Sequence, residues 1–300
     1  MHAHFAKLRQ NLEPNPTFSD IIQTRHAAVR QQLAPDSHLI GSLQRKTRIQ
    51  PLQGHTFDID ILVVLDDFRG WVSVGGVTAQ AALAHVHGKA MESDRYSVKN
   101  PTVDAPTITL QFASNVKVEL VPAYRDQVGH GPNGVPHAPS GRAYWIPDSA
   151  GGWVLADYDY DAEYISAANG LSDGYLVPVI KILKAIKRLH FPQMKSFALE
   201  ILAANIIPGL VSHYKNTGVP ITFPRLLRDF FQNAQNRLNQ AIAIPGSLSQ
   251  PIIVPLGDVI HIGGQFETIR TLIASMDPLA DGTRVERWRT IVGDPFPATL

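Results

Sequence analysis

The run Phe57-Asp58-Ile59-Asp60-Ile61-Leu62-Val63-Val64-Leu65 constrains this chain more than any other stretch. It reads as a strand, and residues two apart on a strand point to the same side. Asp58 and Asp60 therefore share one face, while Ile59 and Ile61 lie on the other. Two like charges on one side of an otherwise buried strand are costly unless something positive lies between them. A divalent cation meets that need.

The surrounding pattern places this strand in a larger fold. Residues 17 to 34 read as an amphipathic helix, with Phe18, Ile21, Ile22, Val29 and Leu33 at helical spacing and Pro35 as its stop. Leu39-Ile40 form a short strand leading into a Gly41-Ser42 turn. Residues 77 to 92 suit a helix capped by Thr78. Thr107 to Phe112 and Val116 to Val121 read as two strands joined through Ala113-Ser114-Asn115. Gly129 to Gly152, rich in Gly and Pro, reads as a long loop.

Beyond about residue 160 helical periodicity takes over. Leu176, Val179, Ile180, Leu183, Ile186 and Leu189 form one stripe, which assigns Lys181, Lys184, Lys187 and Arg188 to the remaining surface. Further helices fit 196 to 211, 222 to 243, 264 to 275 and 283 to 291. Strands first and helices later predict an α+β fold, a mixed sheet lobe (1–160) packed against a C-terminal helical lobe (161–300).

Composition narrows the function classes. At 300 residues and 44% apolar content the chain can bury a sizeable core. The absence of Cys excludes disulfides, thiolate zinc sites and a Cys nucleophile. With no leader pattern and no apolar stretch approaching ~20 residues, the expectation is a soluble cytoplasmic protein without a membrane partner. A net charge of +1 supplies no broad field for a stably bound nucleic acid.

Glu119 extends the carboxylate reading. In Val116-Lys117-Val118-Glu119-Leu120-Val121, alternation puts Lys117, Glu119 and Val121 on one face. If this strand lies beside 57–65, Glu119 joins Asp58 and Asp60 as a cluster of hard oxygen donors. Such a set suits two Mg²⁺ ions, with Mn²⁺ as a substitute, completed by substrate phosphates. Gly41 then lets the backbone approach a triphosphate, and Ser42 donates to it or helps hold the metal. Arg45, Lys46 and Arg48 beside this turn favour phosphate attraction.

This order resembles the polymerase-β-like nucleotidyltransferases, and within them the cGAS/DncV-like bacterial enzymes of anti-phage signalling, with oligoadenylate synthetases also similar. The resemblance rests on Gly41 through Ile49, on Phe57 through Leu65, and on Val118-Glu119-Leu120-Val121-Pro122-Ala123, with Glu where Asp is common. Tyr144 through Asp148 and Gly152-Trp153 look like the loop entering the second lobe, and Trp288 through Pro297 is similar to the family's C-terminus. Ile182 through Arg188 resembles the helix whose Lys contacts the donor triphosphate, which implies Lys184. Lys195 through Leu202 resembles the following helix, which implies Ser196 at the phosphates and Phe197 facing a base. The resemblance thus implies ATP or other NTPs as substrates, a cyclic di- or trinucleotide as product, and regulatory or effector proteins of a defence operon as partners.

Rival readings are an RNA-tailing, CCA-adding or linear oligoadenylate enzyme of the same superfamily, and a non-catalytic nucleotide-binding protein. The first needs a long basic surface. The DNA-sensing zinc insertion of animal cyclic GMP–AMP synthase needs Cys. Several residues read as structural: His2, His4, His85 and His87 as surface or core histidines, Gly75-Gly76 as a turn, and Asp66-Asp67 as a solvated strand end. Ser196 also suits a helix N-cap. No Gly-x-Ser-x-Gly elbow is present.

Overall fold

The computed structural model describes residues 1–52, 56–65, 78–112, 115–125, 142–246, 251–276 and 279–300. Strand β2 (Phe57–Val64) is central. It pairs antiparallel with β1 (Ser37–Leu39) on one side and parallel with β5 (Val116–Arg125) on the other. Beyond β5 come β4 (Thr107–Phe112) and β3 (Thr102–Asp104), both antiparallel to their neighbours. The far end of β5 pairs with β6 (Tyr144–Pro147), which pairs with β7 (Trp153–Ala156).

One sheet face carries Phe57, Ile59, Ile61, Ile108, Leu110, Val116, Val118 and Leu120, all buried. Helices α2 (Pro16–Gln32) and α4 (Ala79–Glu92) cover it. Asn15 caps α2 by accepting from the Phe18 amide, and Thr78 caps α4 by accepting from the Ala81 amide, so both helix starts follow from local chemistry. The alternation that buries these residues leaves Asp58, Asp60, Lys117 and Glu119 half-buried on the opposite face.

The second layer is helical: α5 (Tyr158–Leu171), α6 (Leu176–His190), α7 (Ser196–Thr217), α8 (Phe223–Gln235), α9 (Leu256–Ala274) and α10 (Asp281–Val292). They share a large apolar cluster centred on α6 and α7. Helix α1 (His2–Leu12), which periodicity did not single out, contributes Phe5, Leu8 and Leu12 to that cluster. Phe5 meets Trp288 edge-on at 4.9 Å and Phe296 at 5.4 Å, so both chain ends are stitched into the helical layer.

Several sequence readings need correction. The stretch expected as one long loop contains β6 and β7's approach. Tyr144 through Pro147 form a strand because β5 runs on past Val121 and offers Tyr124 and Arg125 as partners. Helix α7 continues through Pro208 to Thr217, where Gly218 at φ +68° ends it. Helix α8 stops at Gln235 rather than 243, and α9 starts at Leu256 rather than 264. Leu189, placed in the apolar stripe, is exposed. Contrary to the composition reading, α7 is long and apolar enough to cross a membrane, and more than half of that window is buried inside the molecule. The Asp66-Asp67 and Gly75-Gly76 readings, and Ala113-Ser114 of the hairpin turn, lie outside the described residues.

Candidate active site

The parallel register of β2 and β5 sets Asp60 directly opposite Glu119 and Asp58 opposite Lys117. Register pairs on neighbouring strands share a face, so the three acids and one lysine meet there. The Lys117 ammonium lies 2.6 Å from Glu119 and 3.5 Å from Asp58. Burial works against this ammonium, but Glu119 and Asp58 outweigh it and raise its pKa. Burial and then the charge of Glu119 push Asp60 up to about 6, against the pull of Arg48.

The Gly41-Ser42 turn closes over this group. It follows β1 and opens the short helix α3 (Gly41–Gln44), and Gly41 sits at φ +68°. A Cβ there would stand 2.6 Å from Asp60 Oδ2, so only glycine lets the acid and the turn come this close. Arg48 Nη1 donates to Ser42 Oγ at 3.5 Å, and its guanidinium covers the Phe57 ring at 4.2 Å. Burial lowers the Arg48 pKa while Asp58, Asp60 and Glu119 oppose that shift.

A second group lies behind the turn. Glu200, on α7 and fully buried, accepts from Arg45 Nε at 2.8 Å and from Thr47 Oγ1 at 2.9 Å. Lys184 Nζ lies 2.6 Å from the same carboxylate and donates to the Thr47 carbonyl at 3.0 Å. Burial pushes Glu200 up, but Lys184 and Arg45 outweigh it and hold it at about 2. Burial lowers Lys184 to about 8 against the attraction of Glu200. Arg188 Nη1 donates to the Gln50 carbonyl at 3.0 Å, so α6 grips residues 47 to 50 from two points.

The structure thus brings Asp58, Asp60, Glu119, Gly41 and Ser42 together. It turns Lys184 and Lys181, both expected on the surface, inward: Lys184 pairs with Glu200, and Lys181 pairs with Glu13 at 2.6 Å. An amphipathic stripe shows only where apolar residues fall, whereas a distant carboxylate decides whether a lysine beside them is buried. Arg45 is likewise buried, its guanidinium 4.1 Å over the Phe197 ring, so one face of that ring is covered. Ser196 is exposed as the first residue of α7. The N-cap position belongs to Lys195, which makes no side-chain cap bond, so Ser196 is not the cap. His87 Nε2 hydrogen-bonds the Pro101 carbonyl at 3.0 Å, a structural role as expected.

Sequence reasoning missed Lys117 as a bridge between acids, and Glu200 altogether. Lys117 was legible as sharing the face of Glu119. Glu200 stood in an apolar helix, Phe197-Ala198-Leu199-Glu200-Ile201-Leu202, where a lone buried acid signals a hidden cation.

Among the described residues no three His, Asp or Glu side chains stand close enough together to hold an ion as they are. The donor chemistry nonetheless fits Mg²⁺. The oxygens are hard, Asp60 carries an excess of like charge from Glu119, and Mg²⁺ takes one or two carboxylates plus phosphates rather than a protein cage.

Comparison with known proteins places the fold. A family model described as Second Messenger Oligonucleotide or Dinucleotide Synthetase domain matches residues 1–152. No curated protein matches the chain in sequence. Among solved structures, CdnC of E. coli MS115-1 in complex with HORMA-deltaN is similar at a TM-score of 0.69 and 16% identity, over 99% of this chain and 98% of that one. CdnG, a CD-NTase of Bradyrhizobium diazoefficiens in complex with GTP, is similar at 0.68 and 13%, over 98% and 95%. DncV, the cyclic AMP-GMP synthase of Vibrio cholerae, is similar at 0.65 and 12%, over 87% of this chain and 69% of that one.

Proposed function

The chain belongs to the Second Messenger Oligonucleotide or Dinucleotide Synthetase family, and from that premise we propose that it joins NTPs into a cyclic di- or trinucleotide second messenger. Its fold is the polymerase-β-like α+β fold, a mixed sheet packed with helices. Residues 1–160 serve as the catalytic lobe and 161–300 as the helical lobe closing over the nucleotide.

The observation that carries this reading is the register of Asp60 against Glu119, with Gly41 in contact with Asp60. An acceptor ribose hydroxyl attacks the α-phosphorus of a donor NTP. The new P–O bond forms as the bond to the β-phosphate oxygen breaks, and pyrophosphate leaves. The hydroxyl proton passes to the Glu119 carboxylate. A last attack, by the free hydroxyl of the linear intermediate on its own 5′ α-phosphorus, breaks the bond to the β-phosphate oxygen, releases a further pyrophosphate and closes the ring. Asp58, Asp60 and Glu119 would hold Mg²⁺, which when bound supplies charge neutralisation at the phosphates and a lowered hydroxyl pKa.

Gly41 and Ser42 offer close backbone approach and a hydroxyl to the triphosphate. Ser196, exposed at the start of α7, contacts the donor β- and γ-phosphates. Lys184 reaches them by exchanging Glu200 for phosphate, and Arg45 with Phe197 forms the wall beside them. The enzyme works as a soluble cytoplasmic protein in anti-phage defence, with α7 as a core helix. A regulatory or effector protein binds it, as HORMA-deltaN is bound in the CdnC complex.

The test is incubation with four labelled NTPs and Mg²⁺ or Mn²⁺, then phosphatase and mass spectrometry. A phosphatase-resistant oligonucleotide is expected, and the Asp58→Ala/Asp60→Ala chain should make none. Undiminished product from that variant would sink the proposal.

A further inference from the structure

A cavity of about 540 Å³ lies among the helices, walled by α1, the turn before α6, the start of α8, the end of α9, and α10 at Arg284 and Trp288. None of its lining residues belongs to the acid cluster, the Gly41-Ser42 turn or the Glu200 group. Its volume falls in the range of small-molecule sites, roughly 300–1,000 Å³. Two kinds of chemistry meet on its wall.

The first is cationic. Arg9, Arg225, Arg228 and Arg284 all line the cavity, with Asp173 the carboxylate among its described lining residues. Asp173 is already matched by Lys215 at 2.5 Å. Arg228 pairs with Asp229 at 2.6 Å, and Arg284 lies 3.5 Å from the exposed Asp281. Arg225 donates to the Pro220 carbonyl, and Arg284 also to the Leu279 carbonyl at 2.8 Å, contacts that orient a guanidinium without cancelling its charge. Arg9 sits with its guanidinium 5.7 Å from the Phe223 ring. The wall is left with an excess of positive charge, which an anion would offset.

The second is aromatic. Phe223 and Tyr175 meet at a tilt of 59° with centroids 5.7 Å apart, and Phe223 stacks on Phe5 at 5.6 Å. Planar guanidinia bind phosphate in a forked geometry, and both they and aromatic rings stack on flat heterocycles. We propose that this cavity is a second ligand site, built to take a nucleoside phosphate by its ring and its phosphates together. The site stands apart from the reaction proposed above, so neither depends on the other.

Equilibrium dialysis with ATP tests it. The full chain should bind one equivalent more than the Arg9→Glu/Arg225→Glu variant, with nucleotidyl transfer at the acid cluster unchanged. Hydrogen–deuterium exchange of the unaltered chain should show ATP protecting residues 220–228, which keeps the test open if the variant fails to fold. Adenosine and tripolyphosphate should each bind at least ~10-fold more weakly there. Equal stoichiometry in both chains, no protection at 220–228, or tripolyphosphate binding as well as ATP would each overturn the assignment. Loss of transfer in the Asp58/Asp60 variant reads out separately from all three.

Discussion

At Gly41 the backbone adopts φ +68° while Asp60 Oδ2 occupies the place next to where a side chain would begin. A left-handed conformation costs a non-glycine residue about 1–2 kcal/mol, which a folded chain survives. The displaced carboxylate is the greater harm, since a shift of about 1 Å in a reacting group can cost ~100-fold in rate. Gly41→Ala should therefore lower nucleotidyl transfer by about that factor while circular dichroism stays native. Retained activity would mean that the closeness of Gly41 to Asp60 is incidental. Asp58 and Asp60 could be placed on one face from sequence because strand alternation is local. Lys117 could be placed on the face of Glu119 for the same reason. That its ammonium bridges Glu119 and Asp58 depended on which strand lay alongside, a fact no single strand contains.

Helices α6 and α7 converge on the segment after α3 through one carboxylate. Glu200 pairs with Arg45 and Lys184 and accepts from Thr47, all out of water. Removing one partner from a buried ionic group leaves the others uncompensated, a loss of about 3–5 kcal/mol. Glu200→Gln should lose that much in urea unfolding, and adding Lys184→Met should recover part of it. A loss under about 1 kcal/mol would show that water enters the group. Helix α6 itself was legible, since its apolar residues recur at helical spacing. The inward turn of its lysines was not, because their counter-ions stand on other elements, Glu13 at the end of α1 and Glu200 on α7.

The whole molecule carries a pH signature where the helical layer meets residues 157–161. Asp161 accepts from the Gly246 amide at 2.8 Å, and burial pushes its carboxyl up to about 6. A folded pKa above the unfolded value means that the native state binds more protons between about pH 4 and pH 6. The Asp161 contribution therefore weakens the fold as pH rises through that window, and its penalty is complete above it. Asp161→Asn keeps an acceptor for Gly246 and removes the charge. Its melting temperature should gain on that of the unaltered chain from pH 4 to pH 7, by about 1–3 kcal/mol in stability. A constant difference across that range would refute the assignment. Gly246 packs against the Asp157 carbonyl so closely that a Cβ would sit 2.1 Å away, an approach that only the assembled fold reveals.

Local pattern determined the central strand, the shared face of its two aspartates, the cap at Thr78, and the switch from strands to helices. Each depends on neighbours within a few residues. The tertiary structure decided that Glu119 lies beside Asp60, that β6 extends the sheet, that α1 joins the helical layer and that Lys184 meets Glu200. Those outcomes follow from strand register and from charge compensation across more than 100 residues of chain in the case of Arg45 and Glu200. Such pairings are chosen by the burial of the whole core, so no segment encodes them alone.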